Sequence, residues 1–158
     1  MKNNFKALVL NLIIVVLSFI FLIIFVATGP KIGQYTKNII SRIFIGIAFV
    51  LVYIFSGTLL DINTSKKNDF FVGCFIAIIG IALWIHTFSI TGRTLFEIPK
   101  EQSEYWILMN IYYTPFIFMN LAFGLPNSPL LSLFTNLFPS ILMGLGLKYK
   151  RFKSTKND

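Results

Sequence analysis

The stretch Met109–Asn120, "MNIYYTPFIFMN", places hydrogen-bonding side chains and a proline inside an apolar segment. Apolar runs flank it, so the pattern indicates the middle of a membrane-spanning helix. In hydrocarbon such polar groups need partners within the protein, because no water is present to satisfy them. Pro115 also removes the donor that would otherwise bond to the carbonyl of Ile111, so a polar neighbour or water must replace it. The stretch therefore predicts that this helix meets another polar surface.

The composition of the whole chain indicates the same class of protein. Of its 158 residues, 56% are hydrophobic and 13% are charged, whereas a typical soluble domain has about 25% charged residues. Several apolar runs reach the roughly 20 residues that an α-helix needs to cross a bilayer. They lack the period-two alternation of a β-barrel. We therefore expect an all-α membrane protein, a bundle of five transmembrane helices.

Hydropathy places five candidate spans on the chain. They cover approximately residues 6–28, 39–60, 70–90, 105–124 and 129–147. The first follows Lys2 and Lys6, as a signal peptide would, but its apolar core of about 20 residues exceeds the 7 to 15 of a cleaved signal. We therefore expect it to be retained. Residues 1–149 are predicted to form one transmembrane domain, followed by a basic cytoplasmic tail at residues 150–158.

Lysine and arginine residues predict the orientation, because cytoplasmic segments carry an excess of them. Five spans would put the two ends of the chain on opposite sides. One side would then hold the lysines at positions 2, 6, 66 and 67, and the other would hold the remaining ten of the 14 basic residues. The richer side includes the C-terminal sequence "KYKRFKSTKND". We therefore expect the N-terminus outside and the C-terminus in the cytoplasm.

Polar residues of spans four and five collect on one side of each helix when the chain advances 100° per residue. The connection "LPNSP" is so short that these spans should form an antiparallel hairpin, with Ser128 as the N-cap and Pro129 in the first turn. The two polar stripes can then face each other. Interhelical hydrogen bonds worth about 0.6 kcal/mol each support a packing interpretation, and a path for a ligand or solute is the alternative. The candidate polar seam comprises Asn110, Tyr113, Thr114, Asn120, Ser132, Thr135 and Asn136.

The other spans carry small or polar residues at helical spacing, which favours close packing between helices. These positions are Asn4, Asn11 and Ser18 in span one, Gly46, Tyr53 and Gly57 in span two, and Gly73, Ala77 and Gly80 in span three. We interpret all three stripes as packing surfaces.

Few residues offer chemistry within the spans. His86 is the only histidine and lies near the end of span three, where it is either an interfacial polar residue or, given an ordinary pKa of about 6.5, a pH sensor. The single cysteine, Cys74, is expected to be a packing residue. The chain has no paired-histidine zinc motif and no phosphate-binding glycine loop, and no carboxylate lies within a span. We therefore expect no enzymatic activity, no metal and no cofactor.

These features favour a small non-catalytic membrane protein that assists or binds a partner, such as a transporter or export helper or an immunity-type protein. The alternative is an oligomeric transporter or channel for a small solute or lipid, and a membrane enzyme acting on lipid is the least supported. Expected partners are the lipid bilayer and another membrane protein or a second copy of the chain. The net charge of +8 reflects topology rather than nucleic-acid binding. Richness in Ile, Phe, Asn and Lys suggests a bacterial cytoplasmic (cell) membrane.

Overall fold

The computed structural model describes residues 2–29, 37–62, 66–91, 94–98 and 100–157. Within these ranges every regular element is a helix, so the prediction of an all-α chain is confirmed for the described part. The α-helices are α1 (Lys2–Ala27), α2 (Ile39–Thr58), α3 (Cys74–Thr91), α4 (Ile107–Tyr112), α5 (Thr114–Phe123), α6 (Pro129–Thr135) and α7 (Phe138–Asn157). Two 3₁₀-helices cover Lys66–Phe71 and Lys100–Trp106.

Among the described residues, four helical segments are long and apolar enough to cross a membrane. They are α1, α2, α3 and the run Pro129–Lys156, which contains α6 and most of α7. A fifth candidate consists of two helical pieces, Glu101–Tyr112 and Thr114–Phe123, with a bend of 105° between them. We call these two pieces the bent pair. The sequence prediction of several membrane-length helices is confirmed, and their number is four, or five if the bent pair is counted as one span.

The outer surface of the bundle is strongly apolar. Only 17% of the most apolar window of α1 and 11% of that of α2 is buried inside the chain. Soluble monomers rarely expose continuous apolar surface beyond a few hundred Å². These helices therefore suit a hydrocarbon environment.

The bend at Tyr113 arises from the proline two residues later. Pro115 lies in the first turn of α5, where its missing N–H costs little. The hydroxyl of Thr114 donates to the carbonyl of Ile111 at 2.7 Å and so replaces the donor that the proline removes. The predicted fourth span, residues 105–124, is therefore two short helices with a corner between them.

The two ends of the described chain lie at the same end of the bundle. The side-chain amide of Asn3, at the start of α1, donates to the carbonyl of Asp61 at 2.7 Å. The ammonium of Lys150, in α7, donates to the carbonyl of Leu60 at 2.7 Å. We call this the Leu60 end. The prediction that the chain ends lie on opposite sides of the membrane assumed five full crossings, and it stays a prediction.

The bent pair enters and leaves the bundle at the opposite end, which we call the Arg42 end. Trp106 clusters with side chains from the second half of α3. Farther in, the hydroxyl of Tyr112 donates to the carbonyl of Ile76, close to the start of α3, at 2.8 Å. The chain then turns back, and the carbonyl of Phe123 accepts a hydrogen bond from Arg42, in the first turn of α2, at 3.5 Å. The bent pair therefore begins and ends at the Arg42 end, and its corner reaches as far as Ile76.

Glycines allow α2 and α7 to pack backbone against backbone. A Cβ atom at Gly57 would collide with the backbone carbonyl of Met143, and one at Gly146 would collide with the carbonyl of Ile54. Any larger residue would force these helices apart. The packing interpretation of the span-two stripe is thus confirmed at Gly57. The helix α7 continues to Asn157, so the residues predicted as a basic tail are largely helical.

Candidate functional site

A group of polar side chains, four of them buried and one half-buried, lies inside the bundle. Its members come from α1, α2, the corner of the bent pair and the break between α6 and α7. We call them the polar centre: Asn11, Tyr53, Tyr112, Tyr113 and Asn136. The hydroxyl of Tyr53 donates to the side-chain oxygen of Asn11 at 3.3 Å. They surround a cavity of about 10 Å³, which is close to the smallest space that holds one water molecule.

Both interruptions of helical structure occur at this centre. Tyr113 separates α4 from α5, and Asn136 lies between α6 and α7. Pro139, in the first turn of α7, also lines the cavity. Broken helices leave backbone groups without their usual partners, and such breaks are tolerated at membrane depth only inside protein or beside a polar cavity. The fold therefore concentrates its hydrogen-bonding capacity at one buried position.

Asn136 has unused hydrogen-bonding capacity at this centre. It is 4% exposed, and its side-chain nitrogen has no hydrogen-bond partner in the described part of the chain. Gly80 makes room for it, because a Cβ atom there would collide with the Asn136 side chain and crowd the ring of Tyr112. A buried donor left without a partner costs about 1–3 kcal/mol. This N–H group is therefore an unsatisfied donor of the polar centre among the described residues.

The chemistry available at the polar centre is hydrogen bonding by neutral groups. Amides and phenols donate and accept protons in hydrogen bonds, but the five residues include no carboxylate, histidine, lysine or cysteine. The arrangement is therefore suited to holding a neutral group by hydrogen bonds.

Of the seven predicted seam residues, two belong to the polar centre. The hydroxyl of Tyr113 donates across to the carbonyl of Leu131, in α6, at 3.4 Å, and Asn136 lines the cavity. Three others donate their hydroxyls to backbone carbonyls within their own segments: Thr114, Ser132 and Thr135. Tyr113 thus bonds to the backbone of α6 and not to a side chain of the second predicted stripe.

The remaining two seam residues lie away from the polar centre. The Asn120 amide donates to the side-chain oxygen of Asn127, in the connection to α6, at 3.2 Å. Asn110 is half-buried and lines a groove of about 160 Å³ whose other wall includes Phe19 and Leu22 of α1. Its side chain forms no hydrogen bond with the part of the chain that the structure describes. The two asparagines of the bent pair therefore lie on different surfaces of the protein.

The structure places His86 on the exposed face of α3, outside the polar centre. Three members of the centre were not among the candidate site residues. The sequence pattern predicted that Asn11 and Tyr53 belong to packing surfaces, and the predicted seam did not include Tyr112. The sequence does show an amide at Asn11 and a phenol at Tyr53 on otherwise apolar helices. It does not show that these two side chains face each other.

A second polar group lies at the Leu60 end and consists of two ion pairs. Arg151 donates from Nε and Nη2 to both carboxylate oxygens of Asp69, at 3.0 and 2.7 Å. The side chains of this pair are 15% and 2% exposed, respectively. The second pair, Lys6 with Asp61, has a separation of 3.3 Å and exposures of 43% and 35%. The first pair therefore joins α7 firmly to the 3₁₀-helix Lys66–Phe71, whereas the second is open to solvent.

Within the described ranges, no group of three or more histidine, cysteine, aspartate or glutamate side chains is placed to hold a metal ion. No protein family, curated protein or solved structure matches this chain.

Proposed function

We propose that the chain is a protein of the bacterial cell membrane with four full crossings and one re-entrant hairpin, formed by the bent pair. Two observations support this topology. The pair turns back after Tyr112 and returns to Arg42, and the start of α1 lies beside the same loop as Lys150. A hairpin that enters and leaves on one side adds no crossing, so both chain ends lie on the same side of the membrane.

The distribution of basic residues then indicates the orientation. With four crossings, nine of the 14 lysines and arginines belong to the Leu60 end, at positions 2, 6, 66, 67, 148, 150, 151, 153 and 156. Of the other five, Lys37, Arg42 and Lys100 belong to the Arg42 end, and those at positions 31 and 93 fall outside the described residues. Because cytoplasmic segments carry the excess, both ends of the chain lie in the cytoplasm.

Reporter fusions at each end test this topology. A fluorescent protein that matures only in the cytoplasm should fluoresce at both ends, and a phosphatase that is active only outside should be inactive at both. Activity of an N-terminal phosphatase combined with fluorescence at the C-terminus would instead restore the five-span arrangement.

Within this framework, we propose that the protein binds a helix of another membrane protein without catalysing a reaction. The observation that carries the proposal is the Asn110 side chain, which lies in a groove between α1 and the bent pair and has no hydrogen-bond partner in the described chain. An amide beside hydrocarbon gains from a hydrogen bond to a neighbouring helix, by about 0.6–2 kcal/mol. The partner helix would present a polar side chain to Asn110 and apolar side chains to Phe19 and Leu22.

The shape of the groove supports a helix as its occupant. A volume of about 160 Å³ accommodates one or two side chains of a partner but falls below the 300 Å³ or more of a typical small-molecule pocket. The exposed side of α1 continues the groove as an apolar surface along which a partner helix can lie. The half-buried amide of Asn110 then specifies the register of the partner helix, as single polar residues do in other helix pairs.

Site-specific photocrosslinking in native membranes tests the proposal. A photoreactive residue at Ile107, which lines the groove, should give one defined protein adduct, and the same residue at Leu108, which is exposed outside the groove, should give none. Asn110→Leu should abolish the adduct, whereas Asn110→Gln, which keeps the amide, should retain it. The mass of the adduct distinguishes a second copy from another protein. Equal adducts from positions 107 and 108 would contradict the proposal.

A second candidate function, a transporter or channel for a small neutral solute, is favoured by the two helix breaks at the polar centre. Discontinuous helices commonly build substrate sites near the middle of the membrane. The cavity of about 10 Å³ corresponds to a closed state for anything larger than water. Solute flux into vesicles, followed by light scattering, should then be lost in Asn136→Leu and retained in Asn110→Leu. Unchanged flux in a folded Asn136→Leu protein would eliminate this function.

A further inference from the structure

A larger cavity lies at the Leu60 end, between the 3₁₀-helix Lys66–Phe71 and α7. Its volume is about 300 Å³. The residues that line it combine two aromatic rings, two cations, one carboxylate and one hydroxyl: Asp69, Phe70, Lys148, Arg151, Phe152 and Thr155. Neither the polar centre nor the Asn110 groove shares a residue with it, so it is a separate site.

The charge of this cavity comes from Lys148. Asp69 and Arg151 compensate each other, because both carboxylate oxygens accept hydrogen bonds from the guanidinium group. The ammonium of Lys148 lies 5.8 Å from the centre of the Phe70 ring and forms no hydrogen bond or ion pair with the described part of the chain. The cavity therefore holds one positive charge, without a counter-ion, against an aromatic wall.

The position of the cavity along α7 matches the boundary of a bilayer. The segment of α7 before Lys148 is "ILMGLGL", which is apolar, and the segment after it is strongly basic. Tyr149 and Phe152 are 60% and 71% exposed at this level. Aromatic and basic side chains concentrate where hydrocarbon meets the headgroups, and lysine extends its ammonium toward the phosphates. A ligand in this cavity would have its polar part at headgroup depth.

We infer that this cavity binds the headgroup of an anionic membrane phospholipid. Lys148 forms a charge-assisted hydrogen bond with the phosphate, and the ring of Phe70, which lies beside Gly144 on the apolar side of Lys148, contacts the glycerol region. Basic pockets between helices on the cytoplasmic side of a membrane recognise anionic lipids by this combination. Free inorganic phosphate shares the anionic chemistry but has no apolar part to use the aromatic walls. The bound species is therefore a lipid.

Native mass spectrometry of the full chain released from detergent tests the inference. Phosphatidylglycerol should remain bound at one molecule per chain, and phosphatidylcholine should not. Lys148→Gln should weaken phosphatidylglycerol binding about fivefold, the equivalent of about 1 kcal/mol for one basic residue near the membrane surface. Lys153→Gln removes the same charge from the same helix outside the cavity and should change binding less than twofold.

Two further comparisons separate a lipid site from the alternatives. Lys148→Arg should restore binding of phosphatidylglycerol, which shows that a loss in Lys148→Gln is not due to misfolding. Inorganic phosphate at millimolar concentration should leave the bound lipid in place. The inference is overturned if Lys148→Gln and Lys153→Gln behave alike, if phosphatidylcholine binds equally well, or if inorganic phosphate displaces the lipid.

Discussion

Replacing Arg151 should destabilise the protein far more than replacing Lys6, although each residue pairs with one aspartate at the Leu60 end. The Asp69 carboxylate is 2% exposed and bonds to Arg151 through both oxygens. The Asp61 carboxylate is 35% exposed and bonds to Lys6 at 3.3 Å. Both substitutions to methionine remove one positive charge from the same end of the bundle. The difference between them therefore isolates the effect of burial.

The expected magnitudes follow from what each substitution leaves behind. Arg151→Met leaves the Asp69 charge buried without compensation, and removing one partner of a buried pair costs about 3–5 kcal/mol. Because Arg151 retains 15% exposure, we expect the lower end of that range, about 3 kcal/mol, or a change of more than 100-fold in the unfolding equilibrium. Lys6→Met leaves an aspartate that water can solvate. An exposed pair contributes about 0–1 kcal/mol.

Titration with sodium dodecyl sulfate in mixed micelles, followed by circular dichroism, measures the free energy of unfolding of both variants. The double variant Asp69→Asn with Arg151→Met removes the orphaned charge and should recover at least half of the loss. The reasoning would be refuted if Arg151→Met were within about 1 kcal/mol of Lys6→Met. It would also be refuted if the double variant were as unstable as Arg151→Met alone, since the loss would then come from packing and not from the buried charge.

Two further stability predictions use the same titration. Gly57→Leu should lower the free energy of unfolding by about 1–3 kcal/mol or more, because its side chain collides with the backbone of α7, whereas Gly29→Leu should have little effect, since nothing lies within 4 Å of a Cβ atom there. Thr114→Val should cost about 1–3 kcal/mol, because it removes the donor to the carbonyl of Ile111 at the corner of the bent pair. Loss of less than about 0.5 kcal/mol in Thr114→Val would show that another group satisfies this carbonyl.

Local features of the chain were sufficient to predict most helices and several of their ends. The first two predicted spans, residues 6–28 and 39–60, correspond to α1 and α2 within a few residues. The hydroxyl of Ser128 accepts from the N–H of Leu131 at 3.2 Å, with Pro129 in the first turn of α6, as the sequence indicated. These features depend on hydropathy over about 20 residues and on capping by a neighbouring residue, so they are visible without a fold.

The sequence predicted the contacts of the polar seam only in part, and the reason is geometric. A helical wheel assumes that a segment is one straight helix, and that assumption places Asn110 and Asn120 on the same stripe. The 105° corner of the bent pair breaks the relation between residues before Tyr113 and residues after it. Asn110 therefore faces α1, whereas Asn120 bonds to Asn127.

The sequence by itself determined that the chain forms apolar helices of membrane length, because hydrophobicity and helix length are properties of continuous segments. Only the tertiary structure decided that the bent pair returns to Arg42, that Asn3 and Lys150 both bond to the end of the chain segment after α2, and that Asp69 pairs with Arg151, 82 residues away. These outcomes depend on contacts between distant segments, and a wheel or a charge tally contains no information on which segments are neighbours. The side on which the tally of basic residues places the N-terminus depends on whether the chain makes five crossings or four. Basic residues can be counted from the sequence alone, but the side of the membrane on which each one lies depends on the fold.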